Sequence, residues 1–463
     1  MSKRRLPVID TPASSLREDG RRNFVHPADV TGRFMTRRRV ISAILIAAYV
    51  ALPFVQVGGR PAMFLDVAHR RFFLFGLSMN AQDFWLAFFL LSGVGFVLFV
   101  VTTLYGRIWC GYACPHSVFL EGVFRPIERL IEGPRVERMR RNQAPLSWDK
   151  VWRKGLKHLV FVGTAFLMSH FVLSYFTSLP GLLDMMRQGP GAHGEAFAWM
   201  LAMTAAIYFN FAWFREQLCL VVCPYGRLQS ALIDNDTLVI GYDTKRGEPR
   251  GKASDPTNGD CVDCNRCVVV CPTGIDIRNG LQMECVGCAQ CVDACDEVML
   301  KLGRAPGLVR YDSLHGLDGK PARFLRPRVY FYAFMGLLGV VVMTFALRSH
   351  QSFESNLLRS GAPFVVDAEG DVLNMLNLHL VNKRDESVTF VVAPADEHDG
   401  LAYRIPNATV TIAPLASQRV SIFASWDRDD AEGGAPPRSV RVRVTSQFDD
   451  ESRLAEVPFV SPR

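Results

Sequence analysis

No cysteine occurs in the last 168 of the 463 residues, although the chain holds twelve. A secreted, disulfide-stapled protein would carry cysteines through its exported part. Here all twelve lie between Cys110 and Cys295, in tight clusters at metal-ligand spacing, which implies reduced thiols in a reducing compartment. Nucleotide fingerprints are missing too. No G-x-G-x-x-G follows a strand-like run and no flavin signature appears, so the chain is not expected to oxidise NAD(P)H itself. Charge is scarce, at 21% of residues against 49% hydrophobic, and mean hydropathy is +0.12. That argues against a disordered or purely soluble protein. Length alone suggests about three domains at roughly 150 residues each.

The net charge of +7 is uneven. Ser349 to Arg463 holds 11 basic and 17 acidic residues, a balance of −6 that leaves +13 on the rest. Such asymmetry fits nucleic acid or a membrane surface. The apolar runs decide for the membrane, and no nucleic-acid partner is expected. Five runs approach the ~20 residues that cross a bilayer core. They are Val40 to Gly59, Phe84 to Tyr105, Leu159 to Leu179, Phe197 to Phe214 and Val329 to Leu347. The fourth is short and can extend through Leu218 to Val222. Trp85, Tyr105, Trp213 and Tyr330 stand at run ends, as in an interfacial belt. The first run follows 39 residues and lacks a small-residue cleavage site, so it reads as a retained anchor.

Lys and Arg number ten up to Arg39 and ten from Gly106 to Leu156, but three from Arg60 to Asp83 and one from Pro180 to Ala196. The positive-inside rule then puts the N-terminus, the second loop and residues 215–328 in the cytoplasm, and the C-terminal region across the membrane. Every cysteine cluster falls on the cytoplasmic side. The expected organisation is a basic tail (1–39), four membrane helices (40–214), a cytoplasmic ferredoxin-like domain (215–328), a fifth membrane helix (329–347) and an exported domain (348–463).

Residues 261–272 read CVDCNRCVVVCP and residues 285–296 read CVGCAQCVDACD. Both carry the C-x2-C-x2-C-x3-C spacing of bacterial two-cluster ferredoxins. Thiolate is a soft, strongly donating ligand for iron. Three closely spaced cysteines wrap one cubane and the fourth reaches the other. Cys261, Cys264, Cys267 and Cys295 are therefore expected on one [4Fe–4S] cluster. Cys285, Cys288, Cys291 and Cys271 are expected on the second. Zinc, which favours four-ligand sets from two CxxC pairs or Cys/His mixtures, is the weaker reading. Asp296 replaces the usual proline after Cys295, and the gap between the runs is 13 residues, shorter than in typical bacterial ferredoxins.

Two further pairs are Cys110-x3-Cys114-Pro115 and Cys219-x3-Cys223-Pro224. Thiols at i and i+4 share one helix face. The proline disfavours helix at the cysteine before it, so each pair marks a helix break. Two such breaks facing each other would gather thiols into a site suited to Cu(I). A lone pair would read as small buried hydrophobes; the repetition favours a site. His116 is a candidate copper ligand or proton acceptor, against the plain reading of a hydrogen-bonded interfacial histidine. His170 lies within the third run, where an ionisable group raises a functional question. Glu121 and Glu128 are expected on a solvated face. Met185, Met186, Met200 and Met203 are expected to be membrane packing.

After Leu347, period-2 alternation appears, as in Val372 to Val381 and in Val388 to Val392. Thr409 to Ile412, Arg419 to Phe423 and Ser439 to Thr445 continue it. Turn signals at Asp399-Gly400 and Gly433-Gly434 separate the runs. An immunoglobulin-like sandwich is expected, without catalytic residues and suited to docking a partner. The fold class is thus a five-helix membrane bundle with a two-cluster ferredoxin-like domain and a C-terminal all-β sandwich.

In this combination the chain resembles the cytochrome c oxidase accessory proteins of the CcoG/FixG/RdxA type, over almost its whole length. The resemblance implies a bacterial inner-membrane cupric reductase that supplies Cu(I) for assembly of cbb3-type cytochrome oxidase. The family's CxxxCP cysteines map onto Cys110, Cys114, Cys219 and Cys223, and its cluster ligands onto the eight ferredoxin cysteines. It also implies an unidentified cytoplasmic electron donor and, as recipient, a copper chaperone, exporter or oxidase assembly factor. Whether the chain forms a homo-oligomer stays open. Two other readings stay open: a relay between quinone and a redox partner, and an assembly scaffold with structural clusters.

Overall fold

The computed structural model describes residues 24–57, 60–67, 71–80, 84–348, 352–367, 370–384, 386–395, 401–427 and 437–462. Residues 1–23 of the basic tail, and the Asp399-Gly400 and Gly433-Gly434 turns, lie outside them. The chain divides into two compact units. One runs to Met343 apart from short pieces between residues 70 and 84; the other holds those pieces and Thr344–Arg463.

Five long helices organise the first unit: α1 (Arg33–Ala51), α2 (Phe84–Tyr105), α3 (Trp148–Ser174), α4 (Gly194–Phe209) and α5 (Pro327–Arg348). Four of them are long and apolar enough to cross a membrane, over Trp85–Tyr105, Trp148–Ser174, Gly194–Phe214 and Pro327–Ala346. The expected count was five. The difference lies in α1, which starts in polar sequence and carries Arg33, Arg37, Arg38 and Arg39 in its first two turns. It is helical only to Ala51. A 3-10 turn containing Pro53 follows, and Gln56–Val57 then pairs with Arg60–Pro61. Helix α3 begins eleven residues before the expected apolar run. Its start is set by Ser147, whose hydroxyl accepts the Lys150 amide at 3.3 Å.

Exposed faces of these helices are apolar, as a bilayer solvent requires. Trp85, Tyr105, Trp213 and Tyr330 stand exposed at helix ends, as the interfacial reading expected. Between α3 and α4 a buried Ser169–Thr204 hydrogen bond of 2.9 Å joins the backbones closely. Below it, Phe124, Phe161 and Phe211 form an aromatic core, with Phe124 stacked on Phe211 at 4.4 Å.

The start of α1 lacks a cap of its own. Asp293, on the helix Gln290–Lys301, supplies one: its carboxylate accepts the amides of Phe34 (3.2 Å) and Met35 (2.8 Å). A negative group suits the orphan amides and the dipole there. A Cβ on Gly32 would lie 2.3 Å from Asp293 Cγ, so the cap needs glycine at that position. Strands β1 (Val239–Tyr242) and β2 (Val309–Asp312) pair antiparallel and pack with this helix around Ile240, Val292, Met299 and Leu308.

The second unit is a two-sheet sandwich. Its strands are β3 (Phe353–Arg359), β4 (Val365–Val366), β5 (Val372–Asn382), β6 (Val388–Pro394), β7 (Leu401–Arg404), β8 (Thr409–Ile412), β9 (Ser417–Trp426), β10 (Ser439–Ser446) and β11 (Ser452–Pro458). One sheet runs β7-β9-β5-β3, with β4 also on β5; the other runs β8-β6-β10-β11. The alternation holds strictly: every second residue of β5, from Val372 to Asn382, is buried. Leu376, Leu378, Leu380, Phe390, Ile422 and Val442 fill the space between the sheets. Strands β3, β4, β7 and β11 were not expected. They lie at sheet edges, where one face is wet and the alternation is broken by exposed apolar residues such as Leu358 and Leu454. With no disulfide, the sandwich depends on this core. Leu378→Ala is expected to cost about 2–5 kcal/mol, read as faster cleavage of the C-terminal unit of the full chain in pulse proteolysis across a urea series.

Candidate functional site

The two ferredoxin runs take one conformation twice. Asp263 and Asn265 flank Cys264 at φ of 50° and 55°, and Gly287 and Ala289 flank Cys288 at 66° and 59°. These left-handed residues curl each loop and turn its amides inward, the geometry of a backbone nest. Amides of Gly287, Gln290 and Val309 reach the sulfurs of Cys285, Cys288 and Cys295. Each loop then starts a helix, Arg266–Val269 or Gln290–Lys301, which carries the third cysteine.

Two cavities open beneath the loops. One is lined by Cys261, Cys264, Cys267 and Cys295, with Tyr242, Arg278 and Met299. The other is lined by Cys271, Cys285, Cys288 and Cys291, with Ile275 and Ile277; Cys267 touches it as well. The fourth cysteine of each run thus reaches the other run's cavity. Burial in these apolar walls pushes the thiols of Cys267, Cys285 and Cys295 up to about 12, and Cys288 to about 11. Buried thiols that surround a hole and repel one another's charge fit a cationic iron core. Among the described residues no three His, Cys, Asp or Glu side chains converge on a single-ion site. Of the eight cysteines Cys264 alone is exposed.

The CxxxCP pairs sit at helix breaks, as the prolines required. Cys114 and Cys223 are extended (ψ of 125° and 111°), and each precedes a short helix with proline in its first turn. Proline costs nothing there, since that amide has no helical partner. The breaks come together: Cys219 lies within electrostatic reach of Cys110, Cys114 and Cys223. Burial pushes Cys110 to about 11 and Cys219 to about 12. The Cys110 thiol donates to Gln229 Oε1 at 3.4 Å. Arg107 ties the two motifs by donating to the Gly226 carbonyl at 2.8 Å.

The first motif rests directly on the second ferredoxin loop. A Cβ on Gly111 would meet the Gly287 carbonyl at 2.8 Å, and one on Gly287 would meet the Arg107 backbone at 3.0 Å. Gly111 lies between Cys110 and Cys114, and Gly287 between Cys285 and Cys288. Arg38 holds the Gly111 carbonyl at 2.8 Å.

His116 has both ring nitrogens engaged. Nε2 donates to the Arg215 carbonyl at 2.9 Å, and Nδ1 accepts from Asn210 at 3.2 Å. The ring stacks on Phe211, and burial pulls its pKa down to about 4. It braces Arg215, whose φ of 48° breaks the chain before the second motif. His170 bonds the Phe166 carbonyl of its own helix. Met185 and Met186 lie on the helix Leu179–Gln188, and Met200 and Met203 on α4.

Glu121 and Glu128 correct the expectation of a solvated face. Glu128 is 2% exposed and grips Arg215 at 3.0 Å, Arg138 at 3.3 Å and Lys157 at 3.5 Å. Burial alone would raise its pKa; the Arg215 guanidinium, with Lys157 and Arg138, outweighs that and holds it well below the usual carboxylate range. Glu121 joins Arg38 to Arg125, and Arg125 also donates to the Pro272 carbonyl at 2.9 Å. Part of the basic second loop is thus a buried lattice of charge. Its long-range partner Arg215 lies 87 residues away, so no local pattern announces it.

Comparisons with known proteins agree with this geometry. A family model described as a 4Fe-4S dicluster domain matches residues 214–314, and one described as a 4Fe-4S binding domain matches residues 86–134. A third, described as the immunoglobulin-like fold at the C-terminus of FixG, matches residues 343–462. Protein RdxA of Cereibacter sphaeroides is 34% identical over 91% of this chain and 93% of its own length. Nitrogen fixation protein FixG of Rhizobium meliloti is 33% identical over 91% and 85%. The chain belongs to the FixG/RdxA family. It is an iron–sulfur membrane protein with two [4Fe–4S] clusters and an immunoglobulin-like C-terminal domain. A solved FixG-related protein from Vibrio parahaemolyticus aligns with 25% of this FixG/RdxA-family chain and all of its own, at 13% identity and a TM-score of 0.22. The segment matched at 86–134 contributes just Cys110 and Cys114, so a four-thiol site there needs Cys219 and Cys223 as well.

Glu128→Gln leaves Arg215 buried without its counter-charge and is expected to cost about 3–5 kcal/mol, read as a lower thermal midpoint in detergent. The deficit against the parent is full at neutral pH and shrinks as pH falls below the ordinary carboxylate pKa. Gly111→Val separates the thiol loop from the cluster loop. Electron transfer out of the dithionite-reduced clusters to an acceptor at the thiol pairs, followed by stopped-flow absorbance, is expected to slow severalfold with iron content unchanged.

Proposed function

We propose that this protein reduces Cu(II) to Cu(I) at Cys110, Cys114, Cys219 and Cys223, in support of copper supply to a cbb3-type cytochrome c oxidase. The observation that carries the reading is the meeting of the two CxxxCP breaks, through Arg107 on the Gly226 carbonyl and Cys110 on Gln229, with the first break packed against the loop of Cys285 and Cys288. Cys261, Cys264, Cys267 and Cys295 hold one cluster and Cys271, Cys285, Cys288 and Cys291 the other, a division that the cavity linings support. Held there, the clusters supply single electrons, one for each Cu(II) taken to Cu(I). The chain's own residues do the rest. Gly111 and Gly287 keep the thiol loop in contact with the cluster loop. Soft thiolates favour Cu(I) over Cu(II) and so draw the reduction forward. Cu(I) accepts two thiolates, so the lack of a converging three-ligand site among the described residues is no obstacle. Exposed Cys264 marks the edge open to a cytoplasmic electron donor. A copper chaperone, exporter or oxidase assembly factor takes the product.

The membrane in question is the bacterial inner membrane, with the clusters cytoplasmic and the sandwich periplasmic. Five crossings fit better than four. The start of α1 is bound to Asp293 of the cluster segment, and α2 returns to that segment at Tyr105. A crossing between them would satisfy both contacts, and α1 is the helix available.

One observation favours the quinone relay as a second reading. A cavity of about 240 Å³ is lined by Cys285, Arg107, Tyr105, Leu238 and Tyr311, at the end of α2 where a membrane quinone would enter.

Stopped-flow mixing of the dithionite-reduced protein with Cu(II), and separately with a soluble quinone, decides between them. Copper reduction is expected to be fast in the parent and to disappear in the Cys110/Cys114/Cys219/Cys223 quadruple Ser variant. Fast quinone reduction with slow or cysteine-independent copper reduction would move the protein to the quinone class. Iron analysis is expected to give about eight atoms per chain, four per cluster, in parent and variant alike. A count near twelve that falls to about eight in the variant would give the four thiols to a third cluster.

A further inference from the structure

Gln229 joins the second CxxxCP segment to a thiol of the first. It lies on the helix Pro224–Leu232, which opens directly after Cys223, and its side chain is fully buried. Its Oε1 accepts the Cys110 thiol at 3.4 Å. Tyr225, one turn earlier on the same helix face, holds that face against α2 through a 2.6 Å hydrogen bond to Thr102. Thr102 gives its own proton to the Leu98 carbonyl at 2.7 Å, so Tyr225 is the donor of the pair.

The Gln229 carboxamide is half used. A glutamine side chain offers one acceptor oxygen and two N–H donors. Here the oxygen serves a thiol, which is a weak donor. Nε2 has no hydrogen-bond partner among the described residues. A buried donor without an acceptor is costly, and native interiors hold few of them. The acceptor it calls for is Cys110 itself, in its other form. A cysteine that ligates a metal has lost its proton. Its sulfur then accepts hydrogen bonds, and an anionic acceptor makes the stronger kind. The terminal torsion of glutamine has two nearly equivalent settings. A half-turn about it puts an N–H where Oε1 now meets the sulfur.

We propose that Gln229 is a positioning residue of the thiol site. Its carboxamide accepts from the Cys110 thiol in the metal-free protein and turns to donate Nε2–H to the Cys110 thiolate once copper is bound. In that step the Sγ–H bond of Cys110 gives way to an Sγ–Cu(I) bond, the proton leaves to solvent, and no electron moves. The hydrogen bond draws charge from the sulfur and orients it. One side chain thus stabilises both forms of Cys110 and ties the first pair of thiols to the helix that follows the second. The inference rests on the copper reading of the four cysteines and adds an outer partner to one of them.

The test supplies copper as Cu(I), so that no reduction is needed. Anaerobic competition of the full holoprotein in detergent against a chromogenic Cu(I) chelator reads the affinity. Gln229→Leu removes both functions of the carboxamide at similar size. It is expected to weaken Cu(I) binding about 10- to 100-fold, the range for a lost outer partner of a metal ligand, with iron content unchanged. In a Cys110→Ser background the same substitution is expected to have no further effect, because the sulfur it serves is gone. An equal loss in both backgrounds would make Gln229 a packing residue and overturn the proposal. So would a Gln229→Leu protein that holds Cu(I) as tightly as the parent; either result leaves the copper reading standing. A parent that does not hold Cu(I), or holds it equally well with all four cysteines changed to Ser, would overturn the copper reading and this inference together.

Discussion

Two glycines touch at the centre of the first unit, and most of the surrounding design keeps them there. Gly111 and Gly287 meet backbone to backbone, each between two cysteines, at a spacing that excludes any side chain. The contact joins a loop that leaves a membrane helix to a loop of a ferredoxin-like segment more than 170 residues later. Neither loop has secondary structure rigid enough to hold such a register alone. Arg38 fixes the Gly111 carbonyl from one side, and Arg107 fixes the Gly226 carbonyl from the other.

Those arginines belong to a wider arrangement of buried charge. Glu121 and Glu128 sit among Arg38, Arg125, Arg138, Lys157 and Arg215. Buried ion pairs are a weak source of net stability, because desolvation offsets most of the attraction. Their value here is geometric. Bidentate pairing of Arg215 with Glu128 has one direction and one distance. It holds the break before Cys219 against the helices after Cys114, with His116 as a neutral strut between them. Apolar packing could supply the same energy without fixing where the thiols stand.

Sequence made the cysteine chemistry legible because its constraints are local. Cys261 to Cys271 and Cys285 to Cys295 repeat one spacing, and that spacing alone divided the eight cysteines as the cavities do. CxxxCP read as a helix break because proline acts on its immediate neighbour. The central strands of the sandwich were equally plain, since both their faces alternate. What stayed hidden depends on partners distant in the chain. Glu128 looks like a surface residue until Arg215 arrives from 87 residues away. Helix α1 looked like a span from Val40 onward, yet its start is set by Asp293, 258 residues from Met35. Edge strands such as β7 and β11 carry too little alternation to be seen without their neighbours.

The exchange of cysteines between the two ferredoxin runs has a consequence for assembly. Each run supplies three thiols to its own cavity and one to its neighbour's, so neither cavity is complete until both runs have folded. Iron cannot then load into half of the segment as it emerges during synthesis. The second cavity has all its thiols once Cys291 is in place, and the first waits for Cys295. By that residue the CxxxCP loops, both earlier in the chain, already exist for Gly287 to dock against. The order of the motifs along the chain therefore makes the thiol pairs the platform on which the second cavity closes.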